Sequence, residues 1–445
     1  MHRPRGLARR SLLAGLPLAT TGCGIWDWAF GDSKQPLPGE RRAVLPGEAE
    51  AASDPSLADV PVELPPPVTN AAWPVAGGTP SNVMGHLAAP DRLQVAWRTG
   101  IGTGGSQRRP LLTTPIVADG RVYACDATAE VTALDAATGR TVWRADARPP
   151  RNRGSLLGAG LGYADGRVFV ATGLAEVMAF DAATGAEIWR KPMPTPTRGA
   201  LTVADGRVIV LTVEGQVLAF ATETGEREWS YRGPAETTTL LGAPAPAVAD
   251  GMILAGFLNG DVAALRLDSG RALWTEGIAG IRGRPSIADI AAVRGRPAID
   301  RGRGIVAGAG GVTMAIDMRS GRRVWEREIP GRESPWVAGE WIFMISASEE
   351  VAALRRADGR VKWVTPLPRF RDEERRRNPI TWTGPLLVGD RLVVASSRGE
   401  ALSLSPYTGE ILGRQTLPDG VTVSPVAAAG SVYLLTDGAS LVALR

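Results

Sequence analysis

A stretch of alternating apolar and polar positions, then a polar turn and a tryptophan, recurs along this chain. It reads VTALDAATGRTVWR at residues 131–144 and VMAFDAATGAEIWR at residues 177–190. Successive side chains of a strand face opposite sides, and the small and β-branched residues here predict a strand packed between two neighbours. The Asp-x-x-Thr-Gly segment predicts a hairpin turn, because Asp can bond the backbone that follows it and Gly accepts positive φ. Each copy therefore predicts two antiparallel strands, the second of which buries a tryptophan ring.

The repeat continues through most of the sequence. Further copies end at Trp229, Trp274, Trp325 and Trp363, and a seventh copy has Gly413 where the tryptophan is expected. Successive tryptophans lie 38 to 51 residues apart, which suits four short strands with turns and is typical of a propeller blade. Eight apolar segments, from GRVYACDA to GSVYLLTD, match one more strand of each unit. We predict an all-β chain that folds as an eight-bladed β-propeller with quinoprotein-like repeats; the alternative is a linear β-solenoid.

The two ends of the repeat region are each incomplete. ASLVALR, at 439–445, is a third strand without a following turn and tryptophan, whereas DRLQVAWRTG, at 91–100, is a tryptophan-ended strand without a preceding partner. If these two strands pair, the N-terminal strand closes the ring and no exposed sheet edge remains. We therefore predict one propeller domain over residues 91–445.

The first 90 residues predict export and attachment to a membrane. Residues 1–22 have the order of a signal peptide of the lipoprotein type: a basic segment, a short apolar run and small residues. Cys23 follows and is the expected lipid-attachment residue, although Thr20 stands where a lipobox usually has an aliphatic residue. Arg9-Arg10 leaves both Sec and twin-arginine export open. Residues 23–90 are expected to be a Pro/Ala-rich, lipid-anchored tether and N-terminal extension, unstructured to about Asn70.

Composition disfavours several classes of function. The net charge is +4 over 445 residues without a dense basic patch, so nucleic-acid binding is not expected. Only His2 and His86 are histidines, which argues against acid–base catalysis and zinc sites. We interpret His86 as a satisfied surface or packing residue, with a ligand role as the less favoured alternative. Cys125 is interpreted as a small buried residue, with a disulfide to Cys23 as the less favoured alternative.

Three other segments have candidate chemistry and are interpreted as structural. Glu349 and Glu350 should face opposite sides of a strand and form a solvated edge. The glycine-rich stretch at 100–105 lacks the spacing of a nucleotide-binding loop and is expected to link two strands. PRFRDEERRRNPITW, at 368–382, has alternating charges typical of a solvated loop between blades, with a binding role as the alternative.

The Asp-x-x-Thr-Gly-x-x-x-Trp repeat resembles that of quinoprotein alcohol and glucose dehydrogenases. The resemblance implies blades docked by the tryptophan. Those enzymes bind pyrroloquinoline quinone with calcium, and the alcohol dehydrogenases add a disulfide between adjacent cysteines. This chain has no adjacent cysteines and is shorter than the enzymes. We therefore expect no cofactor, no metal and no catalytic activity.

A signal segment, a tether and eight such blades together resemble the BamB family, the lipoproteins of the outer-membrane β-barrel assembly machinery. NAAWPVAGGTPSNVMGHL, at 70–87, and DEERRRNPITWTGP, at 372–385, resemble its alphaproteobacterial branch. The resemblance implies a non-catalytic scaffold anchored at the periplasmic face of the outer membrane. The implied partners are POTRA domains of a BamA-like protein, other lipoproteins of the machinery and unfolded outer-membrane proteins.

The same resemblance implies a docking face on two loops. TTLLGAPAP, at 238–246, matches the family's Leu/Arg loop through Leu240, Leu241 and Gly242, with Leu241 in place of the arginine. IAAVRGRP, at 290–297, matches its acidic loop, with Ala292 and Arg294 where the two acids would fall. Both loops precede first strands of consecutive blades, so Leu240, Leu241, Gly242 and Arg294 should lie on one face.

Some alternatives stay open. Either leucine could instead pack under its blade. For the whole chain, a propeller that binds another envelope protein or a polysaccharide is the alternative function, followed by a quinone-dependent dehydrogenase.

Overall fold

The computed structural model describes residues 51–106, 109–149, 158–197, 199, 201–233, 244–278, 292–309 and 311–445. These residues form eight four-stranded antiparallel sheets and one separate two-stranded hairpin. The helix found among them is a single 3-10 turn, Pro55–Leu57. The prediction of an all-β, eight-bladed propeller is confirmed.

Each of the first four blades is a run of consecutive strands. The bounds of these strands are β2 Ile116–Ala118, β3 Arg121–Cys125, β4 Glu130–Asp135 and β5 Thr141–Asp146 in blade 1; β6 Ala159–Ala164, β7 Arg167–Thr172, β8 Glu176–Asp181 and β9 Glu187–Pro192 in blade 2; β10 Thr202–Ala204, β11 Arg207–Leu211, β12 Gln216–Ala221 and β13 Arg227–Arg232 in blade 3; β14 Ala247–Ala249, β15 Met252–Gly256, β16 Asp261–Arg266 and β17 Ala272–Gly277 in blade 4.

The other four blades follow the same order until the last, which takes its fourth strand from the N-terminal side. The bounds are β18 Ala298–Asp300, β19 Arg303–Ala307, β20 Thr313–Asp317 and β21 Arg323–Arg327 in blade 5; β22 Trp336–Ala338, β23 Trp341–Ile345, β24 Glu350–Arg355 and β25 Val361–Pro366 in blade 6; β28 Trp382–Val388, β29 Arg391–Ser396, β30 Glu400–Leu404 and β31 Ile411–Thr416 in blade 7; β32 Val426–Ala428, β33 Ser431–Leu435, β34 Ser440–Leu444 and β1 Val95–Gly100 in blade 8. The hairpin between blades 6 and 7 consists of β26 Phe370–Asp372 and β27 Arg377–Pro379.

The blades stand around a common axis. First strands of neighbouring blades contact each other, as β10 does with β6 and with β14, so the short first strands surround the axis and the fourth strands form the outer wall. The core lies between blades: one apolar cluster joins residues of β2, β3 and β4 to residues of β6, β7 and β8. Because each blade is covered on both faces, the central positions of the middle strands are buried on both sides, as in β4, where Val131 to Leu134 are all buried.

The repeated turn makes the bonds that the sequence predicted. In blade 1 the Oδ1 atom of Asp135 accepts hydrogen bonds from the backbone N–H of Thr138 at 2.8 Å and from its hydroxyl at 2.7 Å. These two bonds hold the pKa of the Asp135 carboxyl below its usual value. The same pair of bonds joins Asp181 to Thr184 in blade 2.

Each repeat tryptophan docks its blade onto the next one. Gly185 of blade 2 has φ of +76°, and a Cβ atom placed on it would lie 2.7 Å from the ring of Trp143 in blade 1. Only glycine fits such a position, because the backbone is left-handed and the ring covers it. The indole N–H groups donate to carbonyl oxygens of the following blade in seven pairs: Trp97–Ala136, Trp143–Ala182, Trp189–Thr222, Trp229–Leu267, Trp274–Met318, Trp325–Arg356 and Trp363–Pro406.

The ring closes through the N-terminal strand, as predicted. β1 pairs antiparallel with β34, with Trp97 opposite Ala443 and Thr99 opposite Leu441, and Trp97 then docks on the turn of blade 1. In blade 8 the third strand, β34, and the fourth strand, β1, come from opposite ends of the propeller domain. No Asp-x-x-Thr-Gly turn therefore joins these two strands. A tryptophan at Gly413 of blade 7 would therefore have no turn glycine to cover, which explains its absence from the seventh repeat.

The segment before β1 closes one end of the axis, and we name residues 70–89 the plug. Its backbone pairs with the first strand of blade 1. The N–H of Trp73 donates to Val117 O at 2.6 Å, and the carbonyl oxygen of Trp73 accepts from Val117 N–H at 2.9 Å. Further hydrogen bonds join it to blades 2, 4, 5, 6, 7 and 8; the pairs are Pro74–Tyr163, Pro80–Val248, Ser81–Ile299, Gly85–Trp336, Leu87–Gly389 and Asn70–Ala429. The plug thus lies across the carboxyl ends of the first strands.

The predicted tether differs from the structure over residues 51–70, which lie against the ring. The side chains of Leu57 and Val62 are only 1% and 6% exposed. Lys362 Nζ donates to the carbonyl oxygens of Leu57 and Ala58, both at 2.7 Å. Low hydrophobic content suggested disorder, but a few apolar side chains suffice to order a segment when a preformed surface receives them. Residues 24–50 of the expected tether, and Cys23, lie outside the described residues.

Candidate functional site

A polar cavity opens at the end of the axis opposite the plug. The loops that run from the fourth strand of one blade to the first strand of the next converge there, and we name this side the loop face. The cavity has a volume of about 130 Å³. Its lining comes from seven blades: Leu112, Thr114, Gly199, Pro244, Ala245, Arg294, Gly295, Arg296, Arg332, Glu333, Ser334, Thr383, Thr422, Val423 and Ser424.

The loop before β18 supplies two arginines to this cavity. Ala292 and Val293 are buried, while the side chain of Arg294 is exposed at the cavity mouth. Gly295 packs against the backbone at Glu333, where a Cβ atom would collide. Arg296 N–H donates to Ser334 Oγ at 2.9 Å. This close contact fixes the loop against its neighbour before β22.

Of the four predicted docking residues, Arg294 is the one that lies among the described residues. Leu240, Leu241 and Gly242 lie outside the described residues. Pro244 and Ala245, which follow them, line the same cavity as Arg294. The described ends of the two predicted loops therefore meet at the mouth of the cavity.

The carboxylate in the cavity wall is that of Glu333. Its Oε2 atom accepts from Thr383 Oγ1 at 2.9 Å and from Gly384 N–H at 3.4 Å. Burial raises the pKa of Glu333, although these bonds and the nearby Arg296 act in the opposite direction.

The prediction for Glu349 and Glu350 is wrong in one respect, because both side chains are buried. Glu349 Oε2 accepts from Trp382 N–H at 3.0 Å, whereas Glu350 Oε2 accepts from Ser346 Oγ at 3.0 Å. The two carboxylates do diverge, as predicted, but blade 7 and the segment at Ala51 cover the edge that was expected to be solvated. Burial raises the pKa of Glu349 to about 7.

His86 and Cys125 are packing residues, as the sequence indicated. The two ring nitrogens of His86 each lie 2.7 Å from a carbonyl oxygen, that of Pro65 and that of Gly389. Cys125 is a free, buried cysteine, and burial raises the pKa of its thiol.

Both predicted surface loops connect strands of the propeller. The stretch at 100–105 links β1 to β2 and packs on blade 8, where Gly105 N–H donates to Asp437 O at 2.6 Å. The charged segment at 368–382 forms the β26–β27 hairpin, whose residues 373–379 are all exposed. The hairpin lies between β25 and β28, so it belongs to the loop face.

Sequence reasoning missed Arg296, Arg332 and Glu333, although a signal was present. Each of six blades begins with a proline just before or within its first strand, and the residue before that proline lines the axial cavity or the small void beneath it. These pairs are Thr114-Pro115, Ala245-Pro246, Arg296-Pro297, Ser334-Pro335, Gly384-Pro385 and Ser424-Pro425. Aligning the repeats on this proline would have identified the axial ring of residues.

The described ranges contain neither a membrane-spanning helix nor a metal-binding group of side chains. No helix there has the length and apolar character needed to span a bilayer. Nor do the described side chains contain a group of three or more His, Cys, Asp or Glu residues placed to hold a metal ion.

Comparison with known proteins identifies relatives of the whole repeat region. The family model described as outer membrane protein assembly factor BamB matches residues 127–365. A second model, the β-propeller domain of glucose, ethanol and alcohol dehydrogenases, matches residues 87–164.

Two curated relatives bear the name outer membrane protein assembly factor BamB. The protein of Alkalilimnicola ehrlichii is 37% identical over 353 residues, which cover 79% of this chain and 88% of that protein. The protein of Legionella pneumophila is 27% identical over 207 residues, covering 46% of this chain and 52% of that protein. The chain thus matches about half the length of the second relative.

Solved structures of several proteins share the fold. BamB from Moraxella catarrhalis superposes with a TM-score of 0.67 at 18% identity, covering 80% of this chain and all of that one. Quinohemoprotein alcohol dehydrogenase from Comamonas testosteroni gives a TM-score of 0.64 at 15% identity, covering 84% of this chain and 80% of that one. At these identities the likeness concerns the fold alone.

Proposed function

This chain belongs to the BamB family of outer membrane protein assembly factors, and on that premise we propose that it is a non-catalytic scaffold of the outer-membrane β-barrel assembly machinery. Membership rests on the family model over residues 127–365 and on the relative that is 37% identical. The proposed partner is a BamA-like protein, bound through its periplasmic POTRA domains. Other lipoproteins of the machinery and unfolded outer-membrane proteins are the further proposed partners of the resulting complex.

The observation that carries the proposed docking site is the meeting of two loops at the cavity mouth. Pro244 and Ala245 follow the Leu240–Leu241 segment, and they line the same cavity as Arg294. An apolar anchor beside an exposed guanidinium is the usual composition of an interface centre and its rim. We therefore propose that Leu240, Leu241, Gly242 and Arg294 contact the POTRA partner from the loop face.

We expect that Leu240→Ala combined with Leu241→Ala weakens binding to a purified BamA POTRA fragment by about tenfold or more. Truncating a buried apolar anchor costs about 2 kcal/mol or more, and 1.4 kcal/mol corresponds to one decade of affinity. Arg294→Glu should mainly change the salt dependence of association, because a rim charge acts on encounter. Biolayer interferometry at several salt concentrations measures both effects.

The matched control is Leu412→Ala, which removes an exposed leucine, 58% accessible, from the outer wall of blade 7. Circular dichroism must show all variants folded, because a leucine that packs under its blade would imitate a binding defect. A folded double variant with the affinity of the unmodified chain would remove these loops from the interface. The exposed β26–β27 hairpin would then be the next surface to test.

The proposed location is the periplasmic face of the outer membrane, with lipid on Cys23 as the anchor. The support is the signal-like order of residues 1–22 together with the family to which the chain belongs. We expect Cys23→Ser to move the protein from the membrane fraction to the soluble periplasmic fraction, since a lipid chain supplies about 0.8 kcal/mol per buried methylene. Fractionation with immunoblotting measures this, and an equal membrane share for both forms would contradict lipid anchoring.

The quinone cofactor of the dehydrogenases does not fit the axial cavity. A cavity of about 130 Å³ matches a molecule near the size of benzene, whereas pyrroloquinoline quinone has three fused rings with three carboxylates. Calcium prefers six to eight oxygen ligands, several of them carboxylates, and Glu333 is the single acid among the described residues of the lining. The shared fold therefore supports no step through that cofactor, in agreement with a scaffold.

A further inference from the structure

The axial cavity holds a cationic side chain, that of Arg296, with a donor that no described residue satisfies. Arg296 Nε is shielded from solvent and has no hydrogen-bond partner. No side-chain hydrogen bond or ion pair joins this guanidinium to another part of the described chain. Burial lowers the pKa of Arg296. Glu333 attracts this guanidinium, but a shielded donor without an acceptor is costly, so the unsatisfied Nε favours a ligand that accepts a hydrogen bond from it.

Among the described residues, the plug closes the cavity at one end of the axis. Below Arg296 the plug contributes Trp73 and Asn82 to a small adjoining void, and Asn82 Nδ2 donates to Pro297 O at 2.8 Å. Above Arg296 the cavity opens at the loop face, where Arg294 and Arg332 form part of its wall. A ligand would therefore enter from the loop face and meet Arg296 near the floor.

Positive charge exceeds negative charge in the lining. Three guanidiniums, those of Arg294, Arg296 and Arg332, accompany the single carboxylate of Glu333. Glu333 is engaged by Thr383 and Gly384. Arg332 donates to Ala347 O at 2.7 Å and lies 3.9 Å from Glu349 Oε1, and Arg294 has an interaction partner as well, so these two charges are partly compensated. A cavity with low-dielectric walls and excess positive charge concentrates small anions.

We propose that the axial cavity binds a small oxyanion, a carboxylate or phosphate group, with Arg296 at its floor and Arg294 and Arg332 at its mouth. A planar guanidinium fork matches two oxygens of such a group. The hydroxyl of Thr114, which also lines the cavity, supplies a further donor, whereas that of Ser424 donates to Glu333 Oε2 at 3.4 Å. A cavity of about 130 Å³ admits one such group with little space to spare. This inference does not depend on docking to a partner protein.

The oxyanion could come from a free ion or from the carboxyl terminus of a polypeptide that enters from the loop face. Isothermal titration calorimetry of the purified full chain distinguishes the two sources. The probes are inorganic phosphate, succinate, and one tetra-alanine peptide prepared with a free and with an amidated carboxyl terminus. Binding of phosphate or succinate alone identifies a free ion, and binding of the free but not the amidated peptide identifies a chain terminus.

The variant that decides the proposal is Arg296→Gln, with Arg371→Gln as matched control, because Arg371 is an exposed arginine of the hairpin. We expect Arg296→Gln to raise the Kd of the bound probe at least tenfold and Arg371→Gln to leave it unchanged. If circular dichroism shows that Arg296→Gln is unfolded, Arg294→Gln replaces it as the deciding variant, since Arg294 is exposed. We expect Arg294→Gln to raise the Kd of the bound probe at least threefold. The absence of binding by every probe, or equal Kd values for the deciding variant and the control, overturns the proposal.

Discussion

A chain that begins at Thr99 is expected to unfold at a denaturant concentration well below that of a chain that begins at Asp91. Both lack the plug, but only the longer chain retains the whole of β1 with its tryptophan. We expect the free energies of unfolding to differ by about 5 kcal/mol or more, since loss of a docked tryptophan alone costs about 3–5 kcal/mol. Urea titration followed by circular dichroism measures the difference.

The physical reason is that β1 closes the ring through two sets of contacts. It completes the sheet of blade 8 by pairing with β34, and it docks that blade on blade 1, where Trp97 covers Gly139 and donates to Ala136 O at 3.1 Å. Without it, β34 is an open sheet edge, and such edges promote aggregation. A chain that begins at Ala51 serves as control and should match the full chain. Coincident midpoints for the chains from Thr99 and Asp91 would show that closure does not depend on β1.

Trp73→Ala is expected to lower the free energy of unfolding by about 3–5 kcal/mol, the usual cost of truncating a buried aromatic side chain. Trp73 is 2% exposed. Its ring stacks on Trp336 of blade 6 with centroids 6.1 Å apart, and its Nε1 donates to Ala76 O at 3.3 Å. Its backbone also pairs with blade 1, so one plug residue joins two blades across the axis.

The control for Trp73→Ala is again Leu412→Ala, since an exposed apolar side chain on the outer wall contributes little. Thermal and urea unfolding of both variants give the comparison. A shift for Trp73→Ala no larger than that of the control would mean that the plug covers the axis without stabilising it.

The sequence was sufficient to predict the architecture because each repeat contains the residues that determine how its blade packs. An apolar run such as VTALD fits a strand covered on both faces, and Gly139 in the following turn leaves room for the ring of Trp97. Both signals are local, and they recur in each unit. Even closure followed from counting, because the unpaired strand at Trp97 matched the incomplete blade at the other end.

The sequence was less informative about residues 51–89 and about the axis. Low hydrophobic content before Asn70 suggested a tether, yet Leu57 and Val62 are buried against blades that come much later in the chain. Glu349 and Glu350 were expected at a solvated edge for the same reason: their burial depends on blade 7 and on the N-terminal segment, which no local pattern shows.

By itself, then, the sequence determined the blades, their number and the strand that closes them, since each depends on side chains a few residues apart. Only the tertiary structure decided how the plug seals the axis and which side chains meet there. Arg296, Glu333 and Ser424 belong to three different blades and share one cavity solely because the ring is closed. The chemistry of that cavity, an excess of guanidinium groups beside one buried carboxylate, arises from long-range contacts that a repeat of about 45 residues cannot encode locally.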